Sequence, residues 1–388
     1  MRGTRGLPGQ EEPSPHTPIR AFTFSEIKDV VGSRFILQDA YIDARGVPTF
    51  TISPENFKNK FTSFANELEN RQLLPTLRKE GDQYALRIFA KPQVRKPSRP
   101  YLNIVLLAAA LCTIFVAGYF NFLSTPILSQ VLMKDENIYL QATLFTVSLF
   151  GIISLHELGH LIACRKHDMD STLPYFIPGP PPFGTFGAVV SLKSAPKNRD
   201  ELFDTGMGGP LTGFIATMIV LLIDSFYRLD IRITSFAQAK VWEEKGFIQF
   251  VSWPNAPLLF YLQDLLNPVP SNQVLMPSPL QFVVLVGALV TFLNILPVWQ
   301  LDGGHISRAM WGPRGHRVAS LIGLGFLFAS GYWFFALFLL LMMFGSKRAF
   351  QGAEPLDDVS PLNGSRRILY ALIMAILILC FFVWTPLA

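Results

Sequence analysis

The chain has 388 residues, half of them hydrophobic and 16% charged, which excludes an ordinary soluble globular protein. Its net charge of +5 does not indicate nucleic acid as a partner, because the Lys and Arg residues lie mostly in short stretches beside apolar runs, as membrane orientation requires. Cys112, Cys164 and Cys380 fall in or beside separate apolar segments and form no disulfide framework.

Residues 1–21 are rich in Pro, Gly and charge and carry no apolar run like that of a cleaved signal peptide, so a disordered tail is expected. Residues 22–92 then alternate polar and apolar positions in FILQDAYID, PTFTIS, LPTLRKE and YALRIFAK, around the amphipathic stretch PENFKNKFTSFANELENR. That pattern predicts a small soluble α+β domain. Its helix starts near Ser53 or Pro54 and turns Phe57, Phe61, Phe64 and Leu68 to the core. A basic linker over 93–101 leads into a polytopic membrane region over 102–388.

A first apolar span covers about 102–124, and the basic linker before it places that end on the cytoplasmic side. The second begins near Tyr139 and ends in HELGH followed by the basic CRKH, which puts this motif near the cytoplasmic face. Residues 171–200 contain a proline-rich stretch and then FGTFGAVVSL, an alternating Gly-rich segment too short to cross and suited to a re-entrant β-hairpin. A third span is expected from about Gly206 to Phe226, a polar and aromatic stretch follows, and a fourth span from about Leu280 to Val298 ends at LDGGH. Residues 318–345 read as a bent hairpin broken at Ser330 and Gly331, because this keeps Lys347, Arg348, Arg366 and Arg367 on the side of Arg308, Arg314 and Arg317. With a last apolar span after Arg367, the fold expected is an α-helical polytopic membrane protein of about six to seven segments plus the small N-terminal α+β domain.

In HELGH, His156 and His160 stand four residues apart, so on a helix both imidazoles share one face and can hold one Zn²⁺, with Glu157 on the same turn as a general base. Ionisable side chains inside an apolar helix are costly and mark function. A third ligand is required, and Asp302 is the best candidate because it lies at the depth that charge assigns to the histidines; the plain alternative is a helix or turn cap beside Gly303 and Gly304. His305 is a weaker rival, and His16, His167 and His316 look unremarkable. Asn294, in NILPVWQLDGG, is an amide in hydrocarbon that either orients substrate and its oxyanion or bonds to a neighbouring helix. Pro297 frees backbone groups nearby. Gly184, Gly187 and AVVSL form a candidate strand edge for an unwound substrate backbone, or else an ordinary hairpin.

HELGH at 156–160, FGTFGAVVSL after it and NILPVWQLDGG at 294–304 together resemble the site-2 protease family of intramembrane zinc metalloproteases. The resemblance covers about 139–310 and implies a three-helix catalytic core, one zinc ion per chain held by His156, His160 and Asp302, Glu157 as base, and Asn294 on substrate or intermediate. It implies transmembrane protein substrates, a lipid environment, and a multi-pass location in a prokaryotic plasma membrane or one of equivalent origin, with the N-terminal domain and site towards the cytoplasm. Many bacterial members carry a PDZ domain between the catalytic motifs; residues 227–279 are too short and too aromatic for one, and the soluble domain here is N-terminal, somewhat like the plastid and related prokaryotic branch. Two other readings compete. A catalytically silent binder that keeps the fold is disfavoured because His156, Glu157, His160 and Asp302 are all present, and a zinc transporter because the first and last spans are almost wholly apolar.

Overall fold

The computed structural model describes residues 22–54, 57–91, 100–123, 137–227, 231–233, 241, 244, 254–266, 268, 272, 274–276, 278–346, 352–381 and 383–384. The expected tail over 1–21, most of the basic linker, and Lys347 and Arg348 lie outside the described residues. The chain divides into two compact units, Met1–Lys91 and Pro92–Ala388.

The first unit runs α1 (Phe24–Gly32), β1 (Leu37–Ile42), β2 (Pro48–Ile52), α2 (Phe57–Asn70), β3 (Leu73–Glu80) and β4 (Gln83–Ala90). Its four strands pair antiparallel in the order β1-β2-β4-β3, so the α+β reading of this region holds. Phe57, Phe61, Phe64 and Leu68 of α2 are buried, as are Phe50, Ile52, Leu77 and Leu86 of the sheet. The helix α1 was not among the expected elements, although its start is written in the sequence as a capping box. Thr23 Oγ1 accepts from the Glu26 amide at 3.3 Å while Glu26 Oε2 accepts from the Thr23 amide at 2.8 Å.

The second unit is mainly helical: α3 (Pro100–Leu123), α4 (Ile138–Lys166), α5 (Arg199–Tyr227), α6 (Pro257–Leu266), α7 (Pro279–Ile295), α8 (Asp302–Ala329), α9 (Trp333–Gly345) and α10 (Gly364–Leu379). Among the described residues three helices, Tyr101–Leu123, Ile138–Lys166 and Arg199–Phe226, are long and apolar enough to cross a membrane by length and composition. Pro279–Ile295 and Trp333–Gly345 are shorter apolar helices. The 13 residues of α9 rise only about 20 Å, against a hydrocarbon core of about 30 Å.

The hairpin expected after HELGH is present as β5 (Tyr175–Pro178) paired antiparallel with β6 (Thr185–Val189). The third long helix begins at Arg199, earlier than the expected Gly206, because Asn198 caps it: the Glu201 amide donates to Asn198 Oδ1 at 3.0 Å. Between α5 and α7, where the sequence suggested only a polar and aromatic stretch, β7 (Ile231–Ile233) pairs with β8 (Val274–Met276), and α6 lies between them in the chain. The break expected at Ser330 and Gly331 separates α8 from α9, with Gly331 at φ +84°. A second break was not expected. Gly312 takes φ +70° and ψ −169° ahead of Pro313, so α8 consists of a short first half and a longer second half.

Replacing Phe64 by Ala should lower the local stability of the first unit by about 3–5 kcal/mol, the usual cost of deleting a buried ring. Hydrogen exchange should show lost protection in β2 and β4 with α4 and α5 unchanged; unaltered protection would contradict the assignment of Phe64 to this core.

Candidate metal centre

The site is built on the last turns of α4. His156 and His160 project to one side of this helix, their rings 5.0 Å apart, and His156 Nε2 lies 3.3 Å from His160 Nε2. Asp302 Oδ2 meets them at 3.2 Å and 3.4 Å. Among the described residues this is the one group of His, Cys, Asp and Glu side chains arranged to hold a metal ion. Asp302 does not close the fourth apolar helix, as the sequence suggested. The helix α7 stops at Ile295, a loop carrying Trp299 at φ +45° intervenes, and Asp302 opens α8.

Tautomer chemistry tests whether these residues fit a cation. His160 Nδ1 lies 2.8 Å from the Thr205 carbonyl, an acceptor, so Nδ1 carries the proton and the neutral ring presents a lone pair at Nε2. That lone pair points at a carboxylate oxygen, and His156 Nε2 completes the triangle. His156 Nδ1 has no partner among the described residues, so the tautomer protonated there is open to this ring and presents a lone pair at Nε2; the three atoms then form an acceptor set that a cation satisfies. Edges of 3.2–3.4 Å match the distance of about 3.3 Å between ligands of a tetrahedral ion with bonds of about 2.0–2.1 Å. The donor set of two imidazoles and one carboxylate suits zinc.

Glycines make room for this cluster. A Cβ placed at Gly209 of α5 would collide with His160 Nε2, and one at Gly213 would sit 3.0 Å from His156 Nδ1. Gly159 of α4 and Gly208 of α5 face each other so closely that a Cβ on either would meet the other's carbonyl oxygen. Thr212 Oγ1 adds a hydrogen bond to the Leu155 carbonyl at 2.8 Å. Gly303 and Gly304 play the same part under Asp302, where a Cβ would strike the carbonyls of Ile295 and Trp299. The LDGG turn is therefore a close backbone approach.

Glu157 is buried next to His156, with the backbone amide of Val190, just past β6, facing its carboxylate. Asn294 is half-buried in the last turn of α7. Gly187, at φ +96°, stands open, since a Cβ placed there would meet nothing within 4 Å. Gly184 does not: a Cβ there would meet the Thr113 carbonyl and Ile114 of α3. Close packing on α3 thus explains Gly184, which sequence reasoning assigned to a substrate edge. His305 stays outside the triangle, with a buried Nδ1 that has no partner.

Sequence reasoning passed over His167. Its Nε2 lies 2.8 Å from Asp204 Oδ2, and Asp204 also takes Lys166 at 3.1 Å and Arg366 at 2.7 Å. These pairs lock the end of α4 to the start of α5. Lys166 and His167 sit at the C-terminal end of α4, where a cation suits the helix dipole, while Asp204 lies in the second turn of α5 and Arg366 in the first turn of α10. The available signal was the basic run that closes α4.

The model of Peptidase family M50 matches residues 144–337, half of the chain. The chain is 27% identical over 301 residues to the probable zinc metalloprotease EGY2, chloroplastic, of Oryza sativa subsp. indica, covering 72% of this chain and 52% of that protein. To the Arabidopsis thaliana protein of the same name it is 29% identical over 285 residues, covering 67% and 49%. To the probable zinc metallopeptidase EGY3, chloroplastic, of Arabidopsis thaliana it is 24% identical over 299 residues, covering 72% and 48%. The chain thus spans about half the length of the curated relatives it matches. No solved structure matches it.

Gly209→Ala should drive His160 off the triangle and weaken zinc binding about 10–100-fold, the scale for disturbing a ligand's support. Gly151→Ala, on the same helix as His160 but with nothing within 4 Å, is the control and should bind zinc as the parent does. Equal zinc contents in the two variants would show that the glycine spacing does not matter.

Proposed function

The chain belongs to peptidase family M50, and we propose that it is an intramembrane zinc metalloendopeptidase that hydrolyses peptide bonds of membrane-anchored proteins. The observation that carries this reading is the triangle of His156 Nε2, His160 Nε2 and Asp302 Oδ2, with a second buried carboxylate, Glu157, beside it. Zinc, the metal in the names of the EGY relatives, supplies Lewis-acid polarisation there when bound, one ion per chain.

Glu157 is the general base. Its carboxylate takes a proton from the attacking water and returns it to the leaving amine. Burial among apolar side chains strengthens its interaction with that water. Asn294 donates its side-chain amide to the substrate carbonyl oxygen as negative charge develops there. A substrate helix hides its carbonyls in its own hydrogen bonds and must unwind before attack. The backbone around Gly187 offers replacement partners, in β-augmentation of the hairpin, and the open space at this residue leaves room for another chain.

The membrane region, in this reading, has about six to seven segments, counting the arms of the α8–α9 hairpin. The N-terminal α+β region is a soluble domain on the same, cytoplasmic side as the site. The compartment is a prokaryotic plasma membrane or a membrane of equivalent origin, and the chloroplastic designation of the relatives agrees with the latter.

Glu157→Gln should retain zinc and lose cleavage of a co-expressed membrane substrate by at least about 100-fold. Undiminished proteolysis in that variant would remove Glu157 from the chemistry. Asp302→Ala should lower the zinc content of the purified protein at equal folded yield. Full zinc content would point to another ligand, with His305 the first to examine.

A further inference from the structure

Among the described residues Arg308 is the largest side chain that is completely buried, at 1% exposure, and it lies on the same half-helix as Asp302. A buried guanidinium needs an anion with matching geometry. Asp358 provides it: Arg308 Nη1 donates to Oδ1 at 2.8 Å and Nη2 to Oδ2 at 2.7 Å. The same aspartate takes a second arginine. Arg199, the first residue of α5, donates from Nη2 to the Asp358 carbonyl at 2.6 Å and from Nε to Oδ1 at 3.3 Å. A single residue is thereby joined to both α5 and the first half of α8.

Asp358 belongs to the segment 352–363 between α9 and α10, past residue 337 where the family model ends. That segment is laid along the approach to α5. The Leu356 amide donates to the Pro196 carbonyl at 2.8 Å, the Asp357 amide to the Lys197 carbonyl at 2.9 Å, and the Asn363 amide to Asp200 Oδ1 at 2.9 Å.

The metal triangle depends on this register. From α5, Thr205 holds His160 through its carbonyl, and a Cβ on Gly206 would come within 2.9 Å of the Asp302 carbonyl. The half-helix that carries Asp302 is bounded on one side by the Trp299 loop at φ +45° and on the other by Gly312 at φ +70°. Helical hydrogen bonding does not carry Asp302's position across either break. Contacts outside the helical ladder hold it: Gly303 packs on the Ile295 carbonyl, Ser307 Oγ lies 2.9 Å from His316 Nδ1 across the second break, and the clamp adds a charged hold on the same half-helix, where a Cβ at Gly312 would sit 3.2 Å from the Arg199 guanidinium.

We infer that Asp358 is a positioning residue for the metal site, whose bridge between Arg199 and Arg308 holds Asp302 at metal-binding distance from His156 and His160. The inference rests on the metal-site reading proposed above. It assigns a role to a segment that lies outside the matched family region.

Zinc affinity of the purified full-length chain, measured by competition with a chromophoric chelator well below the melting temperature, tests it without reference to proteolysis. Asp358→Asn should weaken zinc binding about 10–100-fold. Asp358→Glu keeps a two-oxygen acceptor and should recover most of that loss. Leu339→Ala, a cavity in the buried core of α9, should lower the melting temperature and leave zinc affinity unchanged. Zinc affinity within about twofold of the parent in Asp358→Asn, or an equal loss in Leu339→Ala, overturns the inference, since both leave Asp358 a merely structural role. If Asp358→Asn does not fold, Arg199→Lys keeps a cation while removing the two-point hold on Asp358, and is expected to lose affinity in the same way; parental affinity there also overturns it. Equal zinc binding by the parent and Asp302→Ala is a separate outcome, and overturns the metal-site reading together with the inference.

Discussion

The centre of this protein is a place where two imidazole nitrogens and a carboxylate oxygen converge within 3.4 Å of one another. His160 is turned by the Thr205 carbonyl so that Nε2 offers a lone pair, and the partners it faces are another imidazole nitrogen and a carboxylate oxygen. Buried among apolar helices, such a cluster is unfavourable unless a cation occupies it. The surrounding bundle must hold these atoms together before any ion arrives. Much of the architecture of the second unit follows from that requirement.

Two devices meet it. The first is close backbone approach: glycines on α4, α5 and α8 let three helices come near enough for short side chains to meet at one point. The second is a set of ion pairs at the helix ends beside the site. Asp204 joins Lys166, His167 and Arg366, and Asp358 joins Arg199 and Arg308, so that α4, α5, α8 and α10 are tied at the ends nearest the site. In low dielectric such pairs rank as devices of position more than of net stability. The far halves of α4 and α5 are packed chiefly through apolar side chains.

Much of this was legible in the sequence, for physical reasons that can be named. His156 and His160 share a helix face because their spacing matches the helical period, and Phe57, Phe61, Phe64 and Leu68 are buried together for the same reason. Alternation and glycine content announced the β5–β6 hairpin, and Ser330 and Gly331 announced the break before α9. Asp302 was found from depth, yet its setting was misjudged, since it opens a helix where it had been expected to end one. What escaped notice depends on contacts between distant segments. The fit of Gly159 against Gly208 exists only once α4 and α5 cross, and the Arg308–Asp358 pair joins residues 50 apart in the chain. His167 looked like any basic residue flanking a span until Asp204 was beside it. The capping box of α1 is a different case, a local signal present in plain view.

The most direct test of the central claim is zinc K-edge X-ray absorption on the purified, zinc-loaded chain. One zinc per chain is predicted, with nitrogen and oxygen neighbours at about 2.0–2.1 Å and the outer-shell scattering of two imidazoles. A sulfur neighbour at about 2.3 Å, which would bring in Cys164, or the absence of imidazole scattering would contradict the assignment of His156, His160 and Asp302 to the metal.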